Sequence, residues 1–181
     1  MDTLVAHNPD EIISIVDEDD NEIGTYLRKN HADGRLHRET SVLIVNAENE
    51  ILVQERADSG MLDYSASGHF PYTENYLGGA IREVEEELGL TIPESAFIKV
   101  AKHRVNSVGP CVNNRFITLW EVRGEYKIED MKIDPKEVKS VQYMSIEKMR
   151  NLIENEPKLL SAGFADLVLI YFNWLADKCN K

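Results

Sequence analysis

Short apolar runs separated by polar turns make up most of the chain, with one helical stripe in the middle and two more at the end. Ile12, Ile13, Ile15 and Val16 predict a strand within Glu11–Glu18. The polar run Asp17–Asn21 predicts a turn, and Glu22–Leu27 returns as the hairpin partner. Residues 1–9 read as a short arm and Arg28–Glu39 as a polar loop, so 1–40 forms an arm plus an extra hairpin. Ser41–Ala47 and Ile51–Arg56 flank Glu48-Asn49-Glu50 as a second hairpin, and Tyr64–Phe70 leads into the next element.

From Tyr76 to Leu88 the period changes. Leu77, Ala80, Ile81, Val84 and Leu88 fall on one helical stripe. Asn75 is a suitable N-cap, because its side chain can accept from an orphan backbone N–H, and Gly89 suits the left-handed position beyond the end. Ala96–Val105, Arg115–Val122 and Lys139–Met144 then read as strands, with a turn-rich loop over Asn106–Asn114. Ser145 predicts the cap of a helix from Ile146 to about Glu154, with Glu147 in its first turn. Phe164–Lys178 predicts a long helix whose Leu167, Leu169, Ile170, Tyr171, Phe172 and Trp174 spread beyond one face, as deep packing or a subunit contact requires. With no internal repeat or linker, the chain reads as one domain over 1–181.

Composition changes this picture little. The 181 residues suffice for one sizeable core, and 43% hydrophobic with 29% charged residues is ordinary. A formal charge of −12 argues against a nucleic-acid polymer held on a broad basic surface. It permits a small anionic substrate where bound cations invert the local field. Two cysteines, Cys111 and Cys179, fit a reduced cytoplasmic protein better than a disulfide framework. The N-terminus lacks the basic-then-apolar order of a signal peptide, and no run of 18 apolar residues predicts a membrane span.

The chemical message lies in Gly68–Leu90, GHFPYTENYLGGAIREVEEELGL. On the predicted helix, Glu83, Glu86 and Glu87 gather along one flank of the apolar stripe, while Glu85 points to the other. Arg82 lies one turn before Glu86, where an ion pair would aim the carboxylates. At roughly 6 Å and an effective dielectric of about 20, each carboxylate pair costs about 3 kcal/mol. A hard divalent cation removes that penalty, and magnesium or manganese prefers oxygen ligands of this kind.

The segment resembles the Nudix box, G-x5-E-x7-R-E-U-x-E-E-x-G-U with U aliphatic. Gly68, Glu74, Arg82, Glu83, Val84, Glu86, Glu87, Gly89 and Leu90 match every position. The resemblance implies an α/β/α sandwich around a mixed central sheet, with the box as a loop–helix–loop. It implies hydrolysis of a nucleoside diphosphate derivative or related small diphosphate with Mg2+ or Mn2+. Glu83, Glu86 and Glu87 would be metal ligands, Glu74 an accessory ligand or loop brace, and Arg82 the residue that orients Glu83. Glu83 or Glu87 would double as base, or the base would come from a later loop, where Glu121, Glu125, Glu129 and Asp130 are the candidates. Arg56 lies where the resemblance places a phosphate-contacting arginine. The hairpin before the core is the sort of addition that supports a homodimer.

The flanks also resemble the isopentenyl-diphosphate isomerase branch of the same superfamily, through HADGRLHRETSVLIVNAENEILVQER and LDYSASGH. His31, His37 and His69 fall near that branch's metal-binding histidines and are candidates for a second metal site, with the His31–His37 interval one residue shorter. The branch needs a cysteine where this chain has Ser67, and two glutamates on a later strand where Val112–Phe116 has none. Protonating an unactivated alkene demands a strong acid and a matched base, which serine and asparagine do not supply. The branch's lysine after Arg56 is also missing from Ala57–Gly60. Hydrolysis is therefore the expectation; an isomerase-like enzyme and a non-catalytic nucleotide sensor are the alternatives. Phe70, Tyr72 and Tyr76 flank the box as candidates for stacking on a base.

Overall fold

The computed structural model describes residues 8, 10–30, 33–106 and 112–179. Most of the N-terminal arm, His31 and Cys111 therefore lie outside the described residues, as does the side chain of Cys179. The strands are β1 (Ile12–Val16), β2 (Glu22–Leu27), β3 (His37–Val45), β4 (Ile51–Arg56), β5 (Leu62–Asp63), β6 (Ala66–Gly68), β7 (Phe97–Val105), β8 (Arg115–Arg123) and β9 (Val138–Met144). The helices are α1 (Tyr76–Leu88), α2 (Ile146–Asn155) and α3 (Phe164–Cys179). The sheet is mixed: β3 runs parallel to β8 from His37↔Arg115 to Val45↔Arg123, and the other strand pairs are antiparallel.

Side-chain alternation places the layers. Val42 and Ile44 of β3, Leu52 of β4, and Trp120 and Val122 of β8 face α1, where Ala80, Val84 and Leu88 are fully buried. Leu43, Val45, Ile51, Val53, Ile117 and Leu119 face the other way, against α3 and Met149 of α2. The result is an α/β/α sandwich. Central strands covered on both faces read as continuous apolar runs.

The helix over the box begins and ends as its sequence requires. Asn75 Oδ1 accepts from the backbone N–H groups of Leu77 and Gly78, and Gly89 sits at φ 67°. Thr40 Oγ1 donates to Tyr76 O and accepts from Trp120 Nε1, tying the start of the helix to β3 and β8. Ser145 caps α2 by accepting from Lys148 N. In α3, Phe164, Leu167, Val168, Tyr171 and Phe172 are buried, while Leu169 is exposed.

One expected loop ends in a strand. The polarity of Arg28–Glu39 predicts a loop, yet β3 begins at His37. His37, Glu39 and Thr40 are buried although polar, because the parallel ladder to β8 starts there and their side chains turn into the interior. The first hairpin also joins the sheet, through Ile15↔His37.

Candidate active site

Glu83 and Glu87 lie one turn apart on α1, and both are buried. The Glu83 carboxylate rests on Gly68: a Cβ at that position would stand 2.6 Å from its atoms. Glu87 Oε2 accepts from Gln54 Nε2 of β4 at 3.0 Å and lies 3.4 Å from Ser67 N. Glu85 is exposed, as its place on the helix implies. Arg82 gathers the rest. Its Nη1 meets Glu86 Oε2 at 2.6 Å, its Nε meets Glu74 Oε2 at 3.3 Å, and its Nη2 lies 3.0 Å from Glu83 Oε1 and donates to His69 O.

This arrangement leaves the carboxylates short of compensating charge. Burial pushes the Glu83 carboxyl up to about 8, against the pull of Arg82 and Arg28. Burial also pushes Glu87 well above its usual range, reinforced by the charges of Glu83, Glu137 and Asp63. Glu86 is raised as well, mainly by burial and despite Arg82. The donors are all oxygen, and Glu83 Oε1 is buried with no hydrogen bond of good geometry, Arg82 Nη2 being close but poorly aligned. Among the described residues, no three His, Cys, Asp or Glu side chains converge as a ready-made metal cage. The donor chemistry nevertheless fits a hard divalent cation, whose charge would stabilise the ionised pair.

A raised acid makes the metal-free protein less stable as pH rises. The unfolded chain loses these protons near pH 4.5 and the folded chain holds the one on Glu83 to about 8, so stability is lost across that window. In EDTA, Tm therefore falls between pH 5.5 and 8, and Mg2+ raises Tm more at pH 8 than at pH 5.5. Thermal melts at both pH values check this; a Tm in EDTA that climbs with pH contradicts it.

Beside the box a cleft of about 430 Å3 opens between β3, the loop into β6 and the turn before α3. Arg56 lines it but does not present a bare guanidinium. Its Nε and Nη2 grip Asp58, and its Nη1 donates to Asp63 at 3.0 Å. Asn113 and Arg115, from the stretch that lacks the isomerase branch's glutamates, also line the cleft, and Arg115 Nε pairs with Glu39 at 2.5 Å. His37 and His69 come together, with their Nε2 atoms 3.0 Å apart. Two of the three candidate histidines are thus adjacent, and His31 lies outside the described residues.

Several expected roles fall elsewhere. Glu121 is buried on the α3 face of β8, where Tyr171 donates to it at 2.6 Å and Arg123 pairs with it. Glu125 accepts from Ala47 N at the β3–β4 turn, and Glu129 and Asp130 are exposed in a short 3-10 turn. None of these four lines the cleft. Phe70 is buried against Gly79 and packs edge-on to Tyr76, whose hydroxyl donates to Asp20, so these two rings serve packing. Tyr72 is exposed.

The structure adds residues that the pattern did not single out. Glu137 lines the cleft and also a cavity of about 150 Å3 shared with Gln54, Glu87 and Lys136. It is placed there by backbone: Lys132 N and Asp134 N donate to the last carbonyls of α1, at Leu88 and Glu87, and Ala57 N donates to Glu137 O. Arg28 arrives from the end of the first hairpin, lines the cleft, and its charge acts on Glu83 and Glu86. Neither has a local motif; only the parity of neighbouring apolar residues could have excluded Glu121.

Comparison with known proteins agrees with this fold. The family model of the NUDIX domain matches residues 35–163. Over 137 residues the chain is 33% identical to Nudix hydrolase 3 of Arabidopsis thaliana, covering 70% of this chain and 18% of that protein. Over 174 residues it is 30% identical to isopentenyl-diphosphate delta-isomerase 2 of Homo sapiens, covering 82% of this chain and 75% of that one. The chain thus spans under a fifth of the plant protein's length. A crystal structure from Deinococcus radiodurans superposes with a TM-score of 0.67 at 22% identity, covering 87% of this chain and 97% of that one. Among the described residues, no helix is long and apolar enough to cross a membrane.

Proposed function

Because the chain belongs to the Nudix family, we propose that it is a Mg2+- or Mn2+-dependent hydrolase of a diphosphate linkage in a nucleoside diphosphate derivative or related small molecule. The observation that supports this reading is the buried Glu83–Glu87 pair, packed behind Gly68 and Ser67, which line a polar cleft. Glu83, Glu86 and Glu87 would hold the cation, with Glu74 as an accessory carboxylate on Arg82. When bound, the cation supplies Lewis acidity, lowering the pKa of water and neutralising charge on the phosphates. Arg82 orients Glu83 and Glu86. Gln54 and Ser67 N fix Glu87 from the sheet side. Arg56 offers its guanidinium to phosphate as it exchanges Asp58 for the substrate.

Glu137 takes the proton from the attacking water, since it is the later-loop carboxylate on the cavity wall next to Glu87. Glu137→Gln accordingly lowers kcat by about a hundredfold with little change in KM, and flattens the acid limb of the pH profile. An unaltered kcat would return that role to Glu83 or Glu87. The function itself is tested by a hydrolysis screen of nucleoside diphosphates, nucleotide sugars, dinucleotides and prenyl diphosphates with Mg2+ and Mn2+. Phosphate or nucleoside monophosphate release that stops in EDTA supports the reading, and intact substrates at several pH values count against it. The human relative makes isomerase the second reading. Ser67 and the Asn113–Arg115 wall stand against it, and conversion of isopentenyl to dimethylallyl diphosphate would restore it.

A further inference from the structure

At the other end of the sheet from the cleft, α2, α3, the end of β8 and the β3–β4 turn enclose an open groove of about 520 Å3. β8 spans nine residues from Arg115, which lines the cleft, to Arg123, which lines the groove, so roughly 25 Å separates the two. Ile146, Phe172, Leu175 and Ala176 give the groove an apolar wall. Arg123, Arg150 and Lys178 supply three cations, and no carboxylate is among the described residues of the lining. In a chain of net charge −12, the sign is locally reversed here.

The cations are held in place by the residues around them. Arg123 Nη1 donates to Asn49 Oδ1 at 3.0 Å, and its Nη2 lies 3.0 Å from Glu121 Oε2. Lys178 Nζ sits 3.4 Å from the centre of the Trp174 ring and 3.7 Å from Glu121 Oε1. The Arg150 guanidinium lies 4.4 Å over the Phe172 ring, and no carboxylate pairs with it among the described residues. Buried Glu121 therefore offsets one of the three charges, and two remain for a ligand.

Charge complementarity calls for an anion, and the apolar wall calls for hydrocarbon attached to it. Guanidinium groups pair well with carboxylates. The volume falls within the roughly 300–1,000 Å3 of small-molecule sites. Arg150 covers Phe172 and Lys178 covers a face of Trp174, so cations already engage these rings and a base has little to stack on. The helices α2 and α3 use their backbone groups internally, so an extended peptide laid against them would leave its own backbone unpaired. An alkyl chain has no such requirement. We propose that this groove is a binding site, separate from the cleft, for a single-chain amphiphilic carboxylate, a fatty acid. Its headgroup pairs with Arg150 and Arg123, and its chain lies along Phe172 and Leu175.

The test titrates dodecanoate, kept below the concentration at which it aggregates, into the protein and follows binding by calorimetry and tryptophan fluorescence. One molecule binds per chain. Acetate, which lacks the chain, and dodecyltrimethylammonium, which reverses the headgroup charge, do not bind. Arg150→Gln weakens dodecanoate about tenfold, the contribution of one charge-assisted hydrogen bond. Ala176→Glu sets a carboxylate in the groove and abolishes binding. Both positions are exposed, and both variants keep the parent's Tm. No binding of dodecanoate, equal binding of the cationic amphiphile, several molecules per chain, or an affinity unchanged in both variants overturns the proposal. A helical peptide rich in Leu and Glu that binds while dodecanoate does not would give the groove to a protein partner and also overturn it.

Discussion

Glu87→Gln abolishes turnover, lowering kcat by on the order of a thousandfold, and leaves the fold intact. The two side chains have the same shape, so Gln54 and the Ser67 amide keep an oxygen to donate to. What disappears is the charge, the property that would hold a divalent cation, and a loss of several kcal/mol in transition-state stabilisation is typical of such a change. The metal-free variant is no less stable than the parent, and at pH 8 it is more stable. Burial and the charges of Glu83, Glu137 and Asp63 all oppose ionised Glu87, and glutamine removes that opposition. Phosphate release at saturating Mg2+ and melts in EDTA measure the two effects. A kcat within about threefold of the parent would mean that Glu87 serves packing alone.

Gly68→Ala lowers activity by a few hundredfold and also weakens the fold. The added methyl would stand 2.6 Å from the Glu83 carboxylate, which is buried and tied to Arg82, so the carboxylate must move. Overpacking of this kind costs about 1–3 kcal/mol, and a catalytic group displaced by about 1 Å loses roughly a hundredfold in rate. For a chain of this size, Tm falls by roughly 2–10 °C. The requirement at Gly68 is space, since its backbone is not among the glycines with positive φ. Circular dichroism melts together with kcat check the prediction. A variant that melts and turns over like the parent would mean that Glu83 is free to shift.

What the sequence made legible was local. The bounds of α1, its Asn75 cap and the αL Gly89 follow from spacing and backbone preference within a few residues, and the structure has them as expected. The sandwich was legible because alternation in β3, β4 and β8 sorts side chains onto two faces. Parity also carries a signal for Glu121: Ile117 and Leu119 face α3, so Glu121 must as well. The start of β3 was hidden because His37, Glu39 and Thr40 are polar residues buried where the parallel ladder to β8 begins, so the apolar pattern does not mark them. Glu137 was hidden for another reason. It reaches the site through backbone hydrogen bonds between its loop and the end of α1, which leave no mark in residue type.

The charge balance of the cleft explains why an acidic protein can still handle an anionic substrate. Arg28, Arg56 and Arg115 are each close to carboxylates, so the protein alone offers little net positive charge there. Affinity for a diphosphate then depends on added cation, which links binding to the same glutamates as catalysis.

Water attack at phosphorus is the central claim, and heavy-oxygen water tests it most directly. The protein is incubated with Mg2+ and a diphosphate substrate from the screen in labelled water, and the products are weighed by mass spectrometry. One labelled oxygen on one of the two phosphate products, absent in EDTA and nearly absent with Glu87→Gln, is the predicted result. Unlabelled phosphates, or an isomerised substrate with its diphosphate intact, would contradict it.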